Sequence, residues 1–385
     1  MQRRDFIKFA GVGVGSALFP VAASLTASAA EVTPSLLPSP VQPVDLSQQK
    51  NKWNSYLLTY QVDLPEQGKM ARLWLPLPDT ADIDHQLSQG SVWRGNAAIA
   101  GLRTLAGTDS PVFHAEWRGS GPRSVMVSSV VKTTDRYTDL CEYSGSEKEA
   151  IPAEMKRFLK PTRHIPLDGI VRKTALSIIK TANAQSPKKK ARAIYDWVVD
   201  NAHRDQATRG CGRGDIKSML ETGNLGGKCA DLNALFVGLA RAVGIPARDR
   251  YGIRIDESVT FKSLGKLGDI SKAQHCRAEF YLAGLGWVPV DPADVRKAIL
   301  EENLLLDDTR IIALREKLFG AWEMNWVAFN HAEDVVLARD SVAGKLPFFM
   351  YPHAEIGGQQ QDSLEPAQFV YSIVSAELVG TGAQL

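Results

Sequence analysis

The residue whose type and position best suit covalent chemistry is Cys229. It follows two glycines, Gly226 and Gly227, and stands directly before an amphipathic segment. At the first turn of a helix, unpaired backbone N–H groups and the helix dipole stabilise an anion, which favours the thiolate form of a cysteine. The alternative is a cysteine buried for packing, but the apolar face of this segment starts only at Leu232. Cys229 is therefore the candidate nucleophile.

A histidine and an aspartate downstream could complete such a site. His275 opens a strand-like run, and Asp291 ends the next one. If the two strands are adjacent, the imidazole could deprotonate the thiol while the carboxylate orients the ring. Each residue alone has a simpler explanation, His275 as a half-buried strand residue and Asp291 as a turn residue before Pro292. Together with Cys229 they predict a Cys-His-Asp triad.

The segments around these residues predict a mixture of helices and strands. Apolar residues recur at helical spacing after Asp168 and again after Cys229, where Gly244 and Pro246 end the second pattern. Three strand-like runs follow, at 251–255, 275–281 and 287–291. The order of helices, cysteine, helix and strands indicates an α+β domain.

The cysteines offer an alternative interpretation as a zinc site. The chain has four cysteines and no CxxC pair, which argues against a zinc ribbon or a thioredoxin motif. Tetrahedral sites usually take closely paired ligands, and neighbours on a strand point to opposite faces. We therefore expect no metal and no cofactor. Cys276 is expected to be a packing residue, and Cys211 to line the cleft or form a redox-linked disulfide. The alternative zinc ligands are Cys211, Cys229, His275 and Cys276.

The N-terminus has the layout of a bacterial twin-arginine signal peptide. Arg3 and Arg4 precede an apolar stretch that contains glycine, and small residues then lead up to Ala29-Ala30. The stretch is short and broken by Pro20, so we expect cleavage near Ala29-Ala30 and no stable membrane anchor. The mature protein is expected in the periplasm or outside the cell.

Composition shifts divide the remaining chain into four predicted parts. Residues 31–50 are a Pro-rich linker, because four prolines punctuate a polar stretch that cannot form a core. Residues 51–145 carry strand-like runs and predict a small β-rich accessory domain. Residues 146–300 hold the candidate site, and 301–385 are expected to be a C-terminal extension that packs on this core.

The charge balance excludes one class of partner. Lys+Arg number 45 against 43 Asp+Glu, and the excess of two lies in the first thirty residues. The rest of the chain is formally neutral, so no basic surplus remains for phosphates, and a general nucleic-acid binder is not expected.

The chain carries three further sequence motifs: Gly226–Asp231 with Ala240–Arg248, Gln274–Phe280 and Gly286–Pro292. They closely resemble motifs of the transglutaminase-like superfamily, and the resemblance covers about residues 165–300. It implies a papain-like core over 146–300 with Cys229 as nucleophile, His275 as base and Asp291 as orienting acid. The preceding β-rich region resembles the small sandwich-like domain that often comes before such cores. The oxyanion would need a second donor besides the Cys229 N–H, and Gln206 is the nearest candidate upstream.

These observations predict an exported cysteine-dependent acyl-transfer enzyme that acts on an amide or peptide bond through an acyl-enzyme. The acyl group could be released to water, which is hydrolysis, or to an amine, which is transamidation, and the sequence does not decide between the two. The expected partner is a peptide or protein substrate, and a peptide of the cell envelope is one candidate. The alternative is a non-catalytic scaffold that binds a peptide in the same cleft.

Overall fold

The computed structural model describes residues 52–379 except 67, 69, 82–83, 142, 144–149 and 366–368. The predicted signal peptide and the whole of the Pro-rich linker lie outside the described residues. Within the described part of the chain, no helix is long and apolar enough to cross a membrane.

The helices surround one central helix that carries Cys229. This helix, α4, was expected to be amphipathic, yet every one of its residues is buried. The spacing of apolar residues shows which face of a helix is most apolar, but it does not show whether other elements cover the remaining faces. Among the described residues the helices are α1 (Gly169–Thr181), α2 (Pro187–Asn201), α3 (Ile216–Thr222), α4 (Cys229–Ala242), α5 (Pro292–Glu301) and α6 (Thr309–Lys317), with 3₁₀ turns at Ala153–Leu159 and Lys262–Leu264.

A four-stranded antiparallel sheet packs against α4 and supplies the rest of the candidate site. In it, β12 (Gln274–Leu282) lies between β13 (Gly286–Val290) and β10 (Ala247–Arg254). The neighbouring strands that carry His275 and lead into Asp291 are therefore hydrogen-bonded, as expected from the sequence. In spatial order the strands are Gly286–Val290 (β13), Gln274–Leu282 (β12), Ala247–Arg254 (β10) and Trp326–Asn330 (β15).

Two five-stranded sheets form the β-rich region and share the main apolar core. Buried and less buried residues alternate along β1 and β6, as expected for strands with one face in the core. The first sheet consists of Gly268–Asp269 (β11), Val370–Glu377 (β20), Asn54–Leu64 (β1), Arg123–Thr133 (β6) and Gln86–Gly95 (β3). The second consists of Gln359–Gln360 (β19), His353–Ile356 (β18), Met70–Pro76 (β2), Pro111–Arg118 (β5) and Ile99–Thr104 (β4).

The C-terminal segment completes both sheets of this β-rich region. β20 pairs antiparallel with β1, from Tyr56↔Glu377 to Asp63↔Val370, and β18 pairs antiparallel with β2. The described residues, from 52 to 379, all belong to one compact unit. The extension predicted to pack on the core therefore also joins the β-rich region to it. The remaining short pairs are Arg136–Tyr137 (β7) with Ala321–Trp322 (β14), Glu333–Val335 (β16) with Leu346–Phe348 (β17), and His203–Arg204 (β8) with Gly226–Gly227 (β9).

Candidate active site

The start of α4 is held by the carboxylate of Asp231. Its Oδ1 accepts hydrogen bonds from the backbone N–H groups of Arg213 and Gly214, both at 2.9 Å, and its Oδ2 accepts one from Lys228 at 3.0 Å. The carboxylate occupies the space that a side chain at Gly212 would need, since a Cβ there would lie 1.8 Å from Asp231 Oδ2. Gly212 also has a φ of +95°, which favours glycine. The glycine-rich loop is thereby fixed against the helix start.

Cys229 is the first residue of α4 and is 4% exposed. The next residue, Ala230, donates its N–H to the carbonyl of Cys211 at 2.9 Å, which holds the loop cysteine beside the nucleophile candidate. Among the described residues, no hydrogen-bond acceptor engages the N–H of Cys229 itself. That N–H is available to a substrate oxygen.

The structure brings His275 and Asp291 to Cys229. The His275 Nε2–H donates to Asp291 Oδ2 at 2.7 Å, and the imidazole lines the same cleft as Cys229 and lowers the pKa of its thiol. Asp291 is fully buried, and its Oδ1 accepts from Asn233 Nδ2 at 3.3 Å and from the N–H of Asp294 at 3.1 Å. Asp291 is also the N-cap of α5, so one carboxylate orients the imidazole and starts a helix.

The surroundings of Cys229 favour its thiolate. The neighbouring thiols of Cys211 and Cys276 lower the pKa of Cys229 well below its usual value, and His275 lowers it further, while burial opposes them. The Cys211 Sγ–H itself donates to the carbonyl of Gln274 at 3.2 Å. Cys276 is fully buried in the core, as expected of a packing residue, but its contact with the Cys229 sulfur was not expected. Cys211 lines the cleft and is a free thiol.

The imidazole of His275 is surrounded by charged groups that favour its protonated form. Burial and Arg254 would lower the pKa of His275, but Asp294 and Asp291 outweigh them, so the pKa lies above its usual value. Asp294 Oδ1 lies 3.4 Å from His275 Nε2 and 2.6 Å from Arg254 Nη2. A thiolate and an imidazolium form an ion pair, and the thiolate of such a pair is the reactive form of a cysteine nucleophile.

Sequence reasoning missed Asp294, Arg254 and Asn233 as supports of this site. A local signal existed for Asp294, because Asp-Pro-Ala-Asp places an N-cap, a proline at the first helical position and an acid in the first turn. No local signal pointed to Arg254 or Asn233, since both reach the site only through the packing of their elements.

One group of side chains in the described chain has metal-ligand atoms close together: His275, Asp291 and Asp294, within 4.8 Å of one another. Each already has a partner, because His275 bonds Asp291 and Arg254 pairs with Asp294. The alternative zinc set of the three cysteines and His275 does not form such a group among the described residues.

Cys229 opens into a cleft of about 1050 Å³. Gln206, the sequence candidate for the second oxyanion donor, is exposed and does not line this cleft. Tyr351 from the C-terminal segment does, and its hydroxyl lies beside Gly210, next to Cys211 in the glycine-rich loop. Burial raises the pKa of Tyr351 well above its usual value, so the phenol keeps its proton.

Comparison with known proteins agrees with the site. Residues 173–292 match the family described as the Transglutaminase-like superfamily, a span that includes all three site residues. The chain belongs to the transglutaminase-like superfamily. Over a longer alignment of 337 residues, the chain is 39% identical to an uncharacterized protein of Haemophilus influenzae (strain Rd). The alignment covers 83% of this chain and 90% of that protein.

One of two similar solved structures shares the fold of this transglutaminase-like chain. A candidate cysteine protease from Cytophaga hutchinsonii aligns with a TM-score of 0.53 at 13% identity, covering 86% of this chain and 92% of the other. The periplasmic domain of TgpA from Pseudomonas aeruginosa aligns over 68% of this chain and 97% of that domain, with 16% identity and a TM-score of 0.32, which is too low to show a shared fold. The expected fold class, an α+β papain-like core preceded by a strand-rich region, is confirmed.

Proposed function

We propose that the protein is a cysteine-dependent acyl-transfer enzyme that acts on an amide or peptide bond. The observation that carries the proposal is that Cys229 and His275 line the same open cleft, with the Nε2 of His275 2.7 Å from Asp291 Oδ2. Cys229 acts as nucleophile, His275 as acid and base, and Asp291 as the group that orients the imidazole.

The reaction begins with attack of the Cys229 thiolate on the substrate carbonyl carbon. The tetrahedral intermediate collapses as the C–N bond breaks, and His275 gives its proton to the leaving amine. The acyl-enzyme is then attacked by water or a second amine, which loses a proton to His275, and the thiolate leaves. Water is the abundant nucleophile at an open cleft, so we propose hydrolysis as the main outcome and transamidation where an amine is held in place.

An oxygen-isotope experiment tests this function. The protein is incubated with a peptide mixture in H₂¹⁸O, and new products are examined by mass spectrometry. Hydrolysis through Cys229 should place one ¹⁸O in each new carboxyl group, whereas transamidation should yield amides without label. The control is Cys229→Ala. Binding of peptides without any product from the unsubstituted protein would support the scaffold alternative instead.

Tyr351 is the proposed second donor to the oxyanion, beside the N–H of Cys229. Its hydroxyl would turn from the glycine-rich loop to the substrate oxygen. Tyr351→Phe should lower kcat about 10²-fold with little change in KM, because a donor that acts on the oxyanion works in the transition state. Tyr371→Phe is the matched control, since Tyr371 also lines the cleft but donates to the carbonyl of Ser363 at 3.0 Å. Equal rates for the two variants would remove Tyr351 from the mechanism.

Export by the twin-arginine route is part of the proposal. It rests on the Arg3-Arg4 pair and the small residues before Ala30, which lie outside the described residues. Replacing both arginines by lysine should retain the unprocessed chain in the cytoplasm, as followed by cell fractionation and N-terminal sequencing. Undisturbed processing of the double variant would show that another route exports the chain.

A further inference from the structure

The cleft in front of Cys229 carries a large excess of positive side chains. Eight lysines and arginines line it, against the three carboxylates of Asp269, Glu301 and Glu302. The chain after residue 30 is formally neutral, so this positive charge is concentrated at the cleft and balanced elsewhere. Clefts lined by one sign of charge focus the field and attract ligands of the opposite sign.

Part of this charge is structural, because all three arginines of the cleft have carboxylate partners and Lys297 pairs with Glu301 at 3.7 Å. These pairs explain why the arginines are present without any ligand. The pairs are Arg204 with Glu301 at 2.9 Å, Arg209 with Asp362 at 2.5 Å, and Arg254 with Asp294 at 2.6 Å.

Four lysines have no such explanation, and we call them the lysine rim: Lys228, Lys262, Lys266 and Lys272. Among the described residues, no carboxylate oxygen lies within 4.0 Å of their ammonium groups. Three of them are exposed and lie on the segment that connects β10 to β12, directly before His275, while Lys228 precedes the nucleophile.

Two carboxylates, Asp269 and Glu302, face the rim and partly offset it. Hydrogen bonds from Ser271 lower the pKa of Asp269, and Lys266 and Lys272 add to this effect, so Asp269 stays ionised. Two carboxylates cannot neutralise four lysines. The rim therefore keeps net positive charge beside the reacting sulfur.

We propose that the substrate is an acidic peptide whose carboxylates bind the lysine rim while its scissile amide lies at Cys229. The inference rests on the proposed function and adds the substrate class. The volume of the cleft, about 1050 Å³, is at the upper end of the range of ligand pockets. The free cations are all lysines, compact charges on flexible stems that suit carboxylates at varied positions. Arginine forks are the usual choice for bidentate phosphate binding.

Binding of matched peptides to Cys229→Ala protein tests the proposal without requiring turnover. Three fluorescent peptides of equal length carry glutamate, glutamine or lysine at the same positions, and their anisotropy is followed at low and high salt. The glutamate peptide should bind best, and its Kd should rise with salt because exposed charge pairs are screened. Lys262→Gln/Lys266→Gln/Lys272→Gln should weaken its binding about tenfold, as expected for three exposed ion pairs.

The matched control removes three exposed lysines outside the cleft, Lys173→Gln/Lys180→Gln/Lys189→Gln, and should leave the Kd unchanged. Equal binding of the glutamate and glutamine peptides, or equal losses in the two triple variants, would overturn the proposal. Inorganic polyphosphate that displaces the glutamate peptide more strongly than unlabelled glutamate peptide does would also overturn it, in favour of a phosphate ligand.

The same peptides separate this proposal from the proposed function. If the unsubstituted protein cleaves the glutamine peptide as fast as the glutamate peptide, and Cys229→Ala removes both activities, the substrate class is wrong and the function stands. If the glutamate peptide binds selectively but never reacts, the substrate class stands and the function fails.

Discussion

Iodoacetamide should alkylate Cys229 at a rate that changes little between pH 8 and pH 6. The reagent reacts with thiolates, and an ordinary thiol with a pKa of about 8.5 becomes roughly 50- to 100-fold less reactive over this interval. The pKa of Cys229 is lowered by Cys211, Cys276 and His275, and that of His275 is raised by Asp294 and Asp291. The ion pair therefore persists between the two pKa values, and the thiolate fraction stays near one across that window.

The alkylation is followed residue by residue by peptide mass spectrometry. Cys141 is exposed and serves as the internal reference for reagent access, while Cys211 and Cys276 are buried and their pKa values are raised. His275→Ala should lower the rate at Cys229 by about 10-fold or more at pH 6 and make it depend more steeply on pH, although Cys211 and Cys276 still favour the thiolate. A Cys229 rate that falls with pH like that of a free thiol in the unsubstituted protein would show that no ion pair forms.

Asp291→Ala should lower the free energy of unfolding by about 3–5 kcal/mol, because it removes one partner of a buried ionic network and the N-cap of α5. The carboxylate is fully buried and accepts from His275, Asn233 and the N–H of Asp294. Asp291→Asn should cost less stability, because its amide oxygen can still cap the helix. It should nevertheless slow alkylation of Cys229, because a neutral amide does not stabilise the charged imidazolium of His275, which in turn stabilises the Cys229 thiolate.

Denaturant unfolding measures the stability loss, and Asp215→Ala is the matched control. Asp215 is also an N-cap aspartate, accepting from the N–H of Ser218 at 3.1 Å, but its side chain is 45% exposed. Its replacement should cost about 1 kcal/mol, the value of a cap alone. Similar losses for the two alanine variants would mean that Asp291 acts only as a cap.

The candidate site could be predicted from sequence where its signals are local. The glycines before Cys229, the helical pattern after it and the two strands separated by one turn all lie in short segments, and each corresponds to an observed element. A hairpin brings its two strands together through its own turn, so the closeness of His275 and Asp291 follows from a few residues.

The rest depended on contacts that no short segment encodes. Strand β20 pairs with β1 although about three hundred residues separate them, and the sequence of neither strand specifies which strand it pairs with. The same holds for Tyr351, which reaches the cleft only because the C-terminal segment returns to the β-rich region. The buried surroundings of α4 and the Arg254–Asp294 pair likewise emerge from packing of elements distant in sequence.

The most direct test of the central claim is the mass of the protein during reaction with a substrate peptide. Rapid acid quenching should trap an acyl-enzyme whose added mass equals the peptide minus its leaving amine, and fragmentation should place it on Cys229. His275→Ala should slow its formation, and Cys229→Ala should form none. Turnover that continues in Cys229→Ala, with no adduct on Cys229 in the unsubstituted protein, would contradict the account.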